Sequence, residues 1–199
     1  MTVEPSKPRE FFKIGTDSDI EPREKSMETY KTILTKLDVR QFDSKKVPAE
    51  VKLRVLEAAR ASGTGNNKQE WRFILVHEKE MVKKLAEDST SGGWVVSANF
   101  AVVVVAAPTP SFHLIDAGRA IQNMELAAWE LGVISGIYTG VKDEKMSKDF
   151  AIPSTMKPLA VVAFGYPVKK IIGKKNRMPL IELAFIDKYG SKLDPKKLM

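Results

Sequence analysis

The chain has 199 residues, enough for one globular domain or a tight pair, and its 43% hydrophobic and 29% charged residues are ordinary for a soluble protein. It contains no cysteine, which excludes disulfides, thiolate nucleophiles, zinc–cysteine sites and iron–sulfur clusters. A net charge of +7 favours anionic partners, so a nucleotide site and a nucleic-acid site stay open beside a plain solvated basic surface. No apolar run is long enough to span a membrane and no apolar leader follows Met1, so we expect a cytoplasmic protein without a membrane span.

The chain begins with a polar stretch that contains prolines and shows no hydrophobic period. We expect residues 1–25 to form an extended N-terminal arm and residues 26–199 to form a single domain. Ser26 is expected to cap a first helix with the apolar face Tyr30, Ile33, Leu34 and Leu37. Pro48 is expected to open a second helix that runs through Ala61.

The middle and end of the chain alternate between apolar runs and helical periods. Residues 61–70 form a loop rich in glycine and asparagine, the residues best able to adopt positive φ. The apolar runs predict strands at Trp71–Val76, Phe100–Ala107, Val133–Tyr138 and Pro158–Gly165. Helices are predicted at Glu78–Glu87, Asp116–Leu131, Asp143–Phe150 and Leu180–Ile186. Alternation without repeats indicates an α+β or α/β fold.

The longest predicted helix carries an alanine-rich stripe. Its members recur with helical spacing: Ala117, Ala120, Ile121, Met124, Ala127, Ala128 and Leu131. Asp116 is expected to cap this helix and Gly132 to close it. Small residues let a neighbour approach closely, so the stripe is central either to the core or to a subunit interface. We carry forward the hypothesis of an interface, with Ala120 and Ala127 as contacts.

Basic residues cluster near both ends of the chain. Lys36 and Arg40 follow the first helix, and Lys174, Lys175 and Arg177 come late. Arg binds phosphate through two parallel hydrogen bonds and Lys acts as a point charge, so the two clusters can converge on one phosphate. They can equally be unconnected surface charge. The two histidines lie far apart with no third ligand spaced with them, so no metal site is predicted.

Five segments, in one order along the chain, resemble the FMN-dependent nitroreductase family, which includes NAD(P)H nitroreductases and flavin reductases. Lys36–Phe42 is similar to the family's Arg-x-Ser-x-Arg-x-Phe opening, and Gly63–Phe73 to its Pro-Ser-x-x-Asn-x-Gln-Pro-Trp-x-Phe segment. Asp116–Gly132 resembles the central helix, Phe164–Pro167 the last core strand, and Lys175–Leu180 the C-terminal basic motif.

The resemblance implies an α+β fold in which a mostly antiparallel central sheet is flanked by helices. It implies an intertwined homodimer with two FMN sites at the interface. The expected activity is an FMN-dependent oxidoreductase that transfers hydride from NADH or NADPH, by a ping-pong mechanism, to a small-molecule acceptor such as a nitroaromatic, a quinone or a flavin. No side chain is expected to be catalytic, because the flavin N5 carries the chemistry.

The resemblance also assigns residues to the phosphate end of the flavin. Lys36, Lys175 and Arg177 fall where the family grips the FMN phosphate. Asp38 falls in the same cofactor-binding motif but replaces a serine, and an anion there would repel the phosphate unless it pairs with a neighbouring Lys or Arg.

Other residues fall, by the same resemblance, around the flavin ring. Arg40 matches the basic residue that faces N1 and the C2 carbonyl, where a fixed cation stabilises the negative charge of the reduced ring. Asn67 matches the asparagine that bonds the pyrimidine part, Thr64 keeps a hydroxyl, and Gln69 belongs to the same loop motif. Two further residues match backbone positions near N5: Thr139 and Gly140.

Two alternatives remain. The first is a specialised family member, either a reductive dehalogenase or a flavin-consuming synthase. The second, from another class, is a basic nucleic-acid-binding module, which would carry aromatic side chains along a basic groove. The aromatic candidates Trp71, Phe73, Phe100 and Trp129 lie in apolar sequence contexts, so we expect no nucleic-acid partner.

Overall fold

The computed structural model describes residues 29–109 and 112–194. The expected N-terminal arm at residues 1–25 and the capping residue Ser26 lie outside the described residues. The helices are α1 (Thr29–Thr35), α2 (Ala49–Arg60), α3 (Lys79–Glu87), α4 (His113–Glu130), α5 (Asp143–Asp149) and α6 (Leu180–Leu183). The strands are β1 (Trp71–Val76), β2 (Phe100–Ala106), β3 (Ile134–Tyr138) and β4 (Lys157–Gly165).

The four strands form one antiparallel sheet in the order β1-β2-β4-β3. Every residue of β2 is buried, which explains its unbroken run of small and β-branched side chains. One face of the sheet packs against α2 and α4, and the other against α3 and α5. The α+β class with a mostly antiparallel sheet flanked by helices is therefore confirmed.

The central helix α4 begins at His113, three residues before the predicted start. Asp116 lies inside its first turn rather than at the N-cap, and its Oδ2 atom accepts a hydrogen bond from the backbone N–H of Gly65 (2.9 Å). The predicted end is confirmed. Gly132 has a φ of +74°, and its N–H donates to Trp129 O (3.0 Å). The N–H of Val133 donates to Ala128 O (2.9 Å). These two bonds form a Schellman motif.

The alanine stripe of α4 packs inside its own chain. Ala117, Ala120 and Ala128 are buried in the cluster between the sheet and α2. Because Ala120 is already fully covered, the hypothesis that it contacts a second subunit is wrong. Ala127 is only partly buried and stays a candidate for such a contact.

Helix α1 turns its apolar face to the outside of the chain. Tyr30 is 71% exposed and Leu34 55% exposed, whereas the buried residue of the helix is Thr32. The apolar period is present as predicted, but none of the residues that the structure describes covers it. Apolar side chains left exposed in this way are typical of surfaces that meet another molecule.

Candidate functional site

The segment Lys36–Phe42 runs along the free edge of strand β3. The N–H of Val39 donates to Ser135 O (2.8 Å). A glycine at position 136 permits this approach, because a Cβ on Gly136 would lie 2.6 Å from Val39 O. The edge of the sheet therefore positions Lys36, Asp38 and Arg40.

Lys36 points into the protein rather than into solvent. Its Nζ atom donates to Asp38 Oδ1 (2.7 Å) and lies 2.9 Å from Glu125 Oε1, and the Ser135 hydroxyl donates to the same Glu125 oxygen (3.1 Å). Burial raises the pKa of the Glu125 carboxyl, while the hydrogen bond and positive charge of Lys36 oppose that rise. An ammonium has three N–H donors, and two of them are directed at carboxylates here.

Arg40 lies over an aromatic ring. Its guanidinium carbon is 5.5 Å from the centre of the Trp94 ring, within the range of a cation–π contact. Trp94 in turn meets Tyr138 edge-on, with ring centres 5.9 Å apart. Since Tyr138 ends β3, these contacts bring Arg40 near the residues that follow that strand, Thr139 and Gly140.

The turn after β3 is held by the loop that precedes Trp94. Both the N–H (2.7 Å) and the hydroxyl (3.2 Å) of Thr90 donate to Gly140 O. A Cβ on Gly140 would collide with the Thr90 hydroxyl, so a larger residue there would have to displace the Thr90 side chain. Thr139 itself is exposed.

The C-terminal basic segment reaches the first helix. The Lys175 ammonium donates to Ile33 O in α1. Gly173 also lies against Leu37, since a Cβ on Gly173 would be 3.2 Å from Leu37 Cδ1. Arg177 is exposed and donates to the neighbouring Asn176 O (2.9 Å). The two basic ends of the chain thus meet beside α1.

The loop at residues 63–69 lies elsewhere, at the start of α4. Its backbone is left-handed at Asn66 (φ 51°), Asn67 (φ 55°) and Gln69 (φ 53°), as the asparagines predicted. The Thr64 hydroxyl accepts from the Gln69 N–H (3.2 Å), and the Gln69 side chain donates to Asn67 Oδ1 (3.1 Å). The Gly65–Asp116 bond ties this loop to the helix.

The predicted site residues therefore form two groups. We call the first the strand-edge group: Lys36, Asp38, Arg40, Thr139, Gly140, Lys175 and Arg177. The second, the loop group, is Thr64, Asn67 and Gln69. Asp116 contacts the loop group's segment and Glu125 contacts the strand-edge group. These two carboxylates are nine positions apart in α4, which is about 13.5 Å along the axis and about two and a half turns. The contacts that anchor the two groups therefore lie on opposite sides of α4.

Four residues that shape the site were not predicted. Glu125 holds Lys36 and accepts a hydrogen bond from the Ser135 hydroxyl, Trp94 lies under Arg40, and Thr90 holds Gly140. A glutamate beside the apolar stripe of α4 was the one available signal for Glu125. The partners of the other three are distant in sequence and left no pattern.

The four aromatic residues considered for base stacking in the nucleic-acid alternative are buried or partly buried. Trp71 is 7% exposed and Phe100 is fully buried, while Phe73 and Trp129 are partly buried. Across residues 29–109 and 112–194, no cluster of acidic and histidine side chains has the arrangement of a metal site. No helix in the same ranges is both long and apolar enough to cross a membrane.

Comparison with known proteins places these features in one family. The Nitroreductase family model matches residues 33–109 and 90–166. A protein of Methanothermobacter thermautotrophicus with the provisional name NADH dehydrogenase/NAD(P)H nitroreductase is 30% identical over 159 residues, covering 75% of this chain and 83% of that protein. An FMN reductase (NADPH) of Bacillus subtilis is 26% identical over 175 residues, covering 76% of this chain and 70% of the relative.

The fold comparison agrees. The crystal structure of an FMN-dependent nitroreductase from Clostridium difficile superposes with a TM-score of 0.72 at 20% identity, covering 78% of this chain and 96% of that one. The matched family model extends from α1 through the end of β4 and includes most of both groups of site residues. On this evidence the chain belongs to the nitroreductase family.

Proposed function

We propose that this protein is an FMN-dependent oxidoreductase that uses NADH or NADPH. The observation that carries the proposal is the strand-edge group, in which Lys175 from the C-terminal end reaches α1, the helix that Lys36 follows, while Arg40 lies near the turn after β3. The names of relatives, an NAD(P)H nitroreductase and an FMN reductase (NADPH), support the same cofactors.

The phosphate end of the flavin fits the basic ends of the chain. Lys175 and Arg177 donate to backbone carbonyl groups, and Arg177 is exposed to solvent. Their charges are therefore available to an incoming phosphate, which binds best to charged N–H donors. Lys36 directly follows α1, and two of its three ammonium N–H groups are directed at carboxylates of the described residues.

The ring end of the flavin fits Arg40 and the turn after β3. Trp94 contacts Arg40, and this contact would hold the charge of Arg40 where negative charge would develop at N1 and the C2 carbonyl of a bound flavin. Thr90 fixes Gly140 and so orients the backbone proposed to lie near N5. These contacts preorganise the site before the cofactor arrives.

The loop group must come from a second chain if it is to meet the same flavin. Within one chain, the loop group is anchored to one side of α4 through Asp116 and the strand-edge group to the opposite side through Glu125, and a helix with its side chains is about 10 Å wide. A homodimer in which each site combines the strand-edge group of one chain with Thr64, Asn67 and Gln69 of the other resolves this. Exposed apolar residues on α1 and at the start of α4, where Leu114 is 60% and Ile115 67% exposed, supply surface for such a contact. We further propose residues 26–199 as the domain that forms it, with residues 1–25 as an arm.

When bound, FMN supplies the redox chemistry, which is hydride acceptance from NADH or NADPH and electron delivery to a nitroaromatic, quinone or flavin in two alternating half-reactions. The chain contributes binding, orientation and the positive charge of Arg40. Only a short connection, Ala107–Phe112, joins β2 to α4, so little chain is available there to cover the ring. An open site of this kind accepts flat aromatic acceptors of different shape in turn. We propose that it works in the cytoplasm.

Mixing two damaged variants tests the cofactor and the shared site together. Arg40→Ala damages the strand-edge group and Asn67→Ala the loop group. Each variant alone should bind flavin weakly. After subunit exchange, about a quarter of the sites should regain both intact groups, because half of the dimers are mixed and each has one intact site. Flavin fluorescence quenching and NAD(P)H oxidation measure the recovery.

The outcomes separate the two parts of the proposal. A parent protein that binds no flavin contradicts the proposed function. A parent that binds flavin, with no recovery in the exchanged mixture, contradicts the two-chain site alone. Two Arg40→Ala preparations mixed with each other are the control, since no combination of their chains contains an intact strand-edge group.

A further inference from the structure

Asp38 is the one acidic member of the strand-edge group, and it occupies the solvent side of Lys36. Its side chain is 60% exposed, while the side chains of Lys36 and Glu125 are each 6% exposed. A ligand arriving from solvent therefore meets the Asp38 carboxylate before it meets the Lys36 ammonium. We propose that Asp38 competes with the flavin 5′-phosphate for Lys36 and thereby lowers the preference of the site for FMN over riboflavin. This inference rests on the proposed function.

The contact between the two residues is direct. Lys36 Nζ lies 2.7 Å from Asp38 Oδ1, the distance of a strong charge-assisted hydrogen bond. Glu125 takes a second N–H of the same ammonium from inside the core. Two carboxylates thus surround one cation, and the third N–H is the only one left for a phosphate.

Charge accounts for the effect on specificity. A phosphate monoester carries about −1.5 to −2 charges near neutral pH, so it is repelled by Asp38 at the same cation. Riboflavin has the same ring and no phosphate, so Asp38 leaves its binding unchanged. Lys175 and Arg177 donate to backbone carbonyl groups and keep their charge for the phosphate. FMN should therefore still bind better than riboflavin, but by less than three unopposed cations would allow.

Two substitutions at position 38 test this with the full-length protein freed of flavin. Asp38→Asn keeps the size of the side chain and removes its charge. Asp38→Ser restores the hydroxyl residue that the family motif carries. In both variants we expect the Kd of FMN to fall about tenfold, because a hydrogen bond to a charged group is no longer contested. The Kd of riboflavin should change less than about twofold, within ordinary surface-substitution effects.

Asp43→Asn is the matched control. Asp43 directly follows the edge segment Lys36–Phe42, and its carboxylate accepts the Lys45 N–H (2.7 Å). Neutralising it changes the net charge by the same amount without touching Lys36. Both flavin affinities should stay at the parental values, which separates a local effect on Lys36 from a general change in the field of the protein.

The result that overturns the inference is a Kd ratio of riboflavin to FMN that stays the same, or falls, in both position-38 variants. Equal weakening of both flavins in folded variants, checked by circular dichroism, would show that Asp38 only shapes the segment. A parent protein that binds neither FMN nor riboflavin contradicts the proposed function. A parent that binds both, with an unchanged ratio in the variants, contradicts this inference alone.

Discussion

Lys36 Nζ lies 2.9 Å from Glu125 Oε1, and both side chains are buried where α4 faces the edge of the sheet. Breaking such a pair leaves a buried charge without compensation, at a typical cost of about 3–5 kcal/mol. We therefore expect Lys36→Met to lower the free energy of unfolding by about that amount. The double variant Lys36→Met/Glu125→Leu should recover much of the loss, because no charge then remains buried. Urea unfolding of the parent and the two variants measures these differences in free energy. A double variant as unstable as the single one would contradict this account.

The same pair predicts a pH dependence. Burial raises the pKa of Glu125 above its ordinary value of 4.5, against the opposing hydrogen bond and charge of Lys36. The folded state then binds this proton more tightly than the unfolded state. The stability from Glu125 is fully present below pH 4.5 and is lost as the pH rises through the raised value. In Lys36→Met the pKa should rise further and the loss should extend to higher pH. Glu125→Gln should remove this component from unfolding curves measured across the range.

Overpacking the alanine stripe should destabilise the fold rather than separate subunits. Ala120 is fully buried in the chain, so Ala120→Leu adds volume to a packed core at a typical cost of about 1–3 kcal/mol. Sedimentation velocity on the folded variant should show the same oligomeric state as the parent. A stable Ala120→Leu variant whose subunits dissociate would contradict this prediction and support Ala120 as an interface residue.

Arg177 and Lys188 offer a matched pair of exposed cations. Arg177→Ala should weaken FMN binding roughly tenfold or more, because a hydrogen bond to a charged group contributes about 1.5–3 kcal/mol. Lys188 lies beyond the basic motif, so Lys188→Ala should leave the FMN Kd close to the parental value. Titration of the flavin-free proteins compares them. Equal Kd values for both variants and the parent would remove Arg177 from the phosphate site.

A methyl group at position 136 should displace the edge segment that carries Lys36 and Arg40. In Gly136→Ala the new Cβ would lie 2.6 Å from Val39 O, so the edge segment must move away from β3. Both the unfolding free energy and the flavin affinity should fall, since Lys36 and Arg40 belong to that segment. Gly93→Ala is the control, because no atom of the residues that the structure describes lies within 4 Å of its added Cβ. Parental flavin affinity in Gly136→Ala would show that the segment does not position the binding residues.

Arg40 should affect the first half-reaction more than substrate binding. Its charge stabilises the electrons that arrive at the N1 edge, so Arg40→Ala should slow flavin reduction with little change in the apparent affinity for NADH or NADPH. Stopped-flow mixing of the loaded enzyme with NADH or NADPH, without an acceptor, measures both quantities. Arg40→Lys keeps the charge and should recover part of the rate. A parent enzyme whose flavin stays oxidised until an acceptor is added would exclude the ping-pong scheme.

Local patterns predicted the strands and most helices, because each strand is a largely apolar run between turn residues. The predicted start of α4 was wrong, and the reason is physical. The carboxylate of Asp116 bonds to Gly65, a partner distant in sequence, instead of to its own helix. The contact between Trp94 and Arg40 was not predicted for the same reason, since these two residues are also distant in sequence. Residue types and spacing suggested the chemistry of the site, but they could not show that its two groups face opposite sides of one helix.

The number of residues between the two buried carboxylates of α4 is itself constrained. Asp116 is tied to Gly65 at one end and Glu125 to Lys36 at the other. Deleting one residue between them would rotate one carboxylate by about 100° and shift it by about 1.5 Å relative to the other. One of the two contacts would then be lost, leaving either a loop without its anchor or a buried cation without its partner. We therefore expect this stretch to accept other side chains of similar size but not an insertion or a deletion.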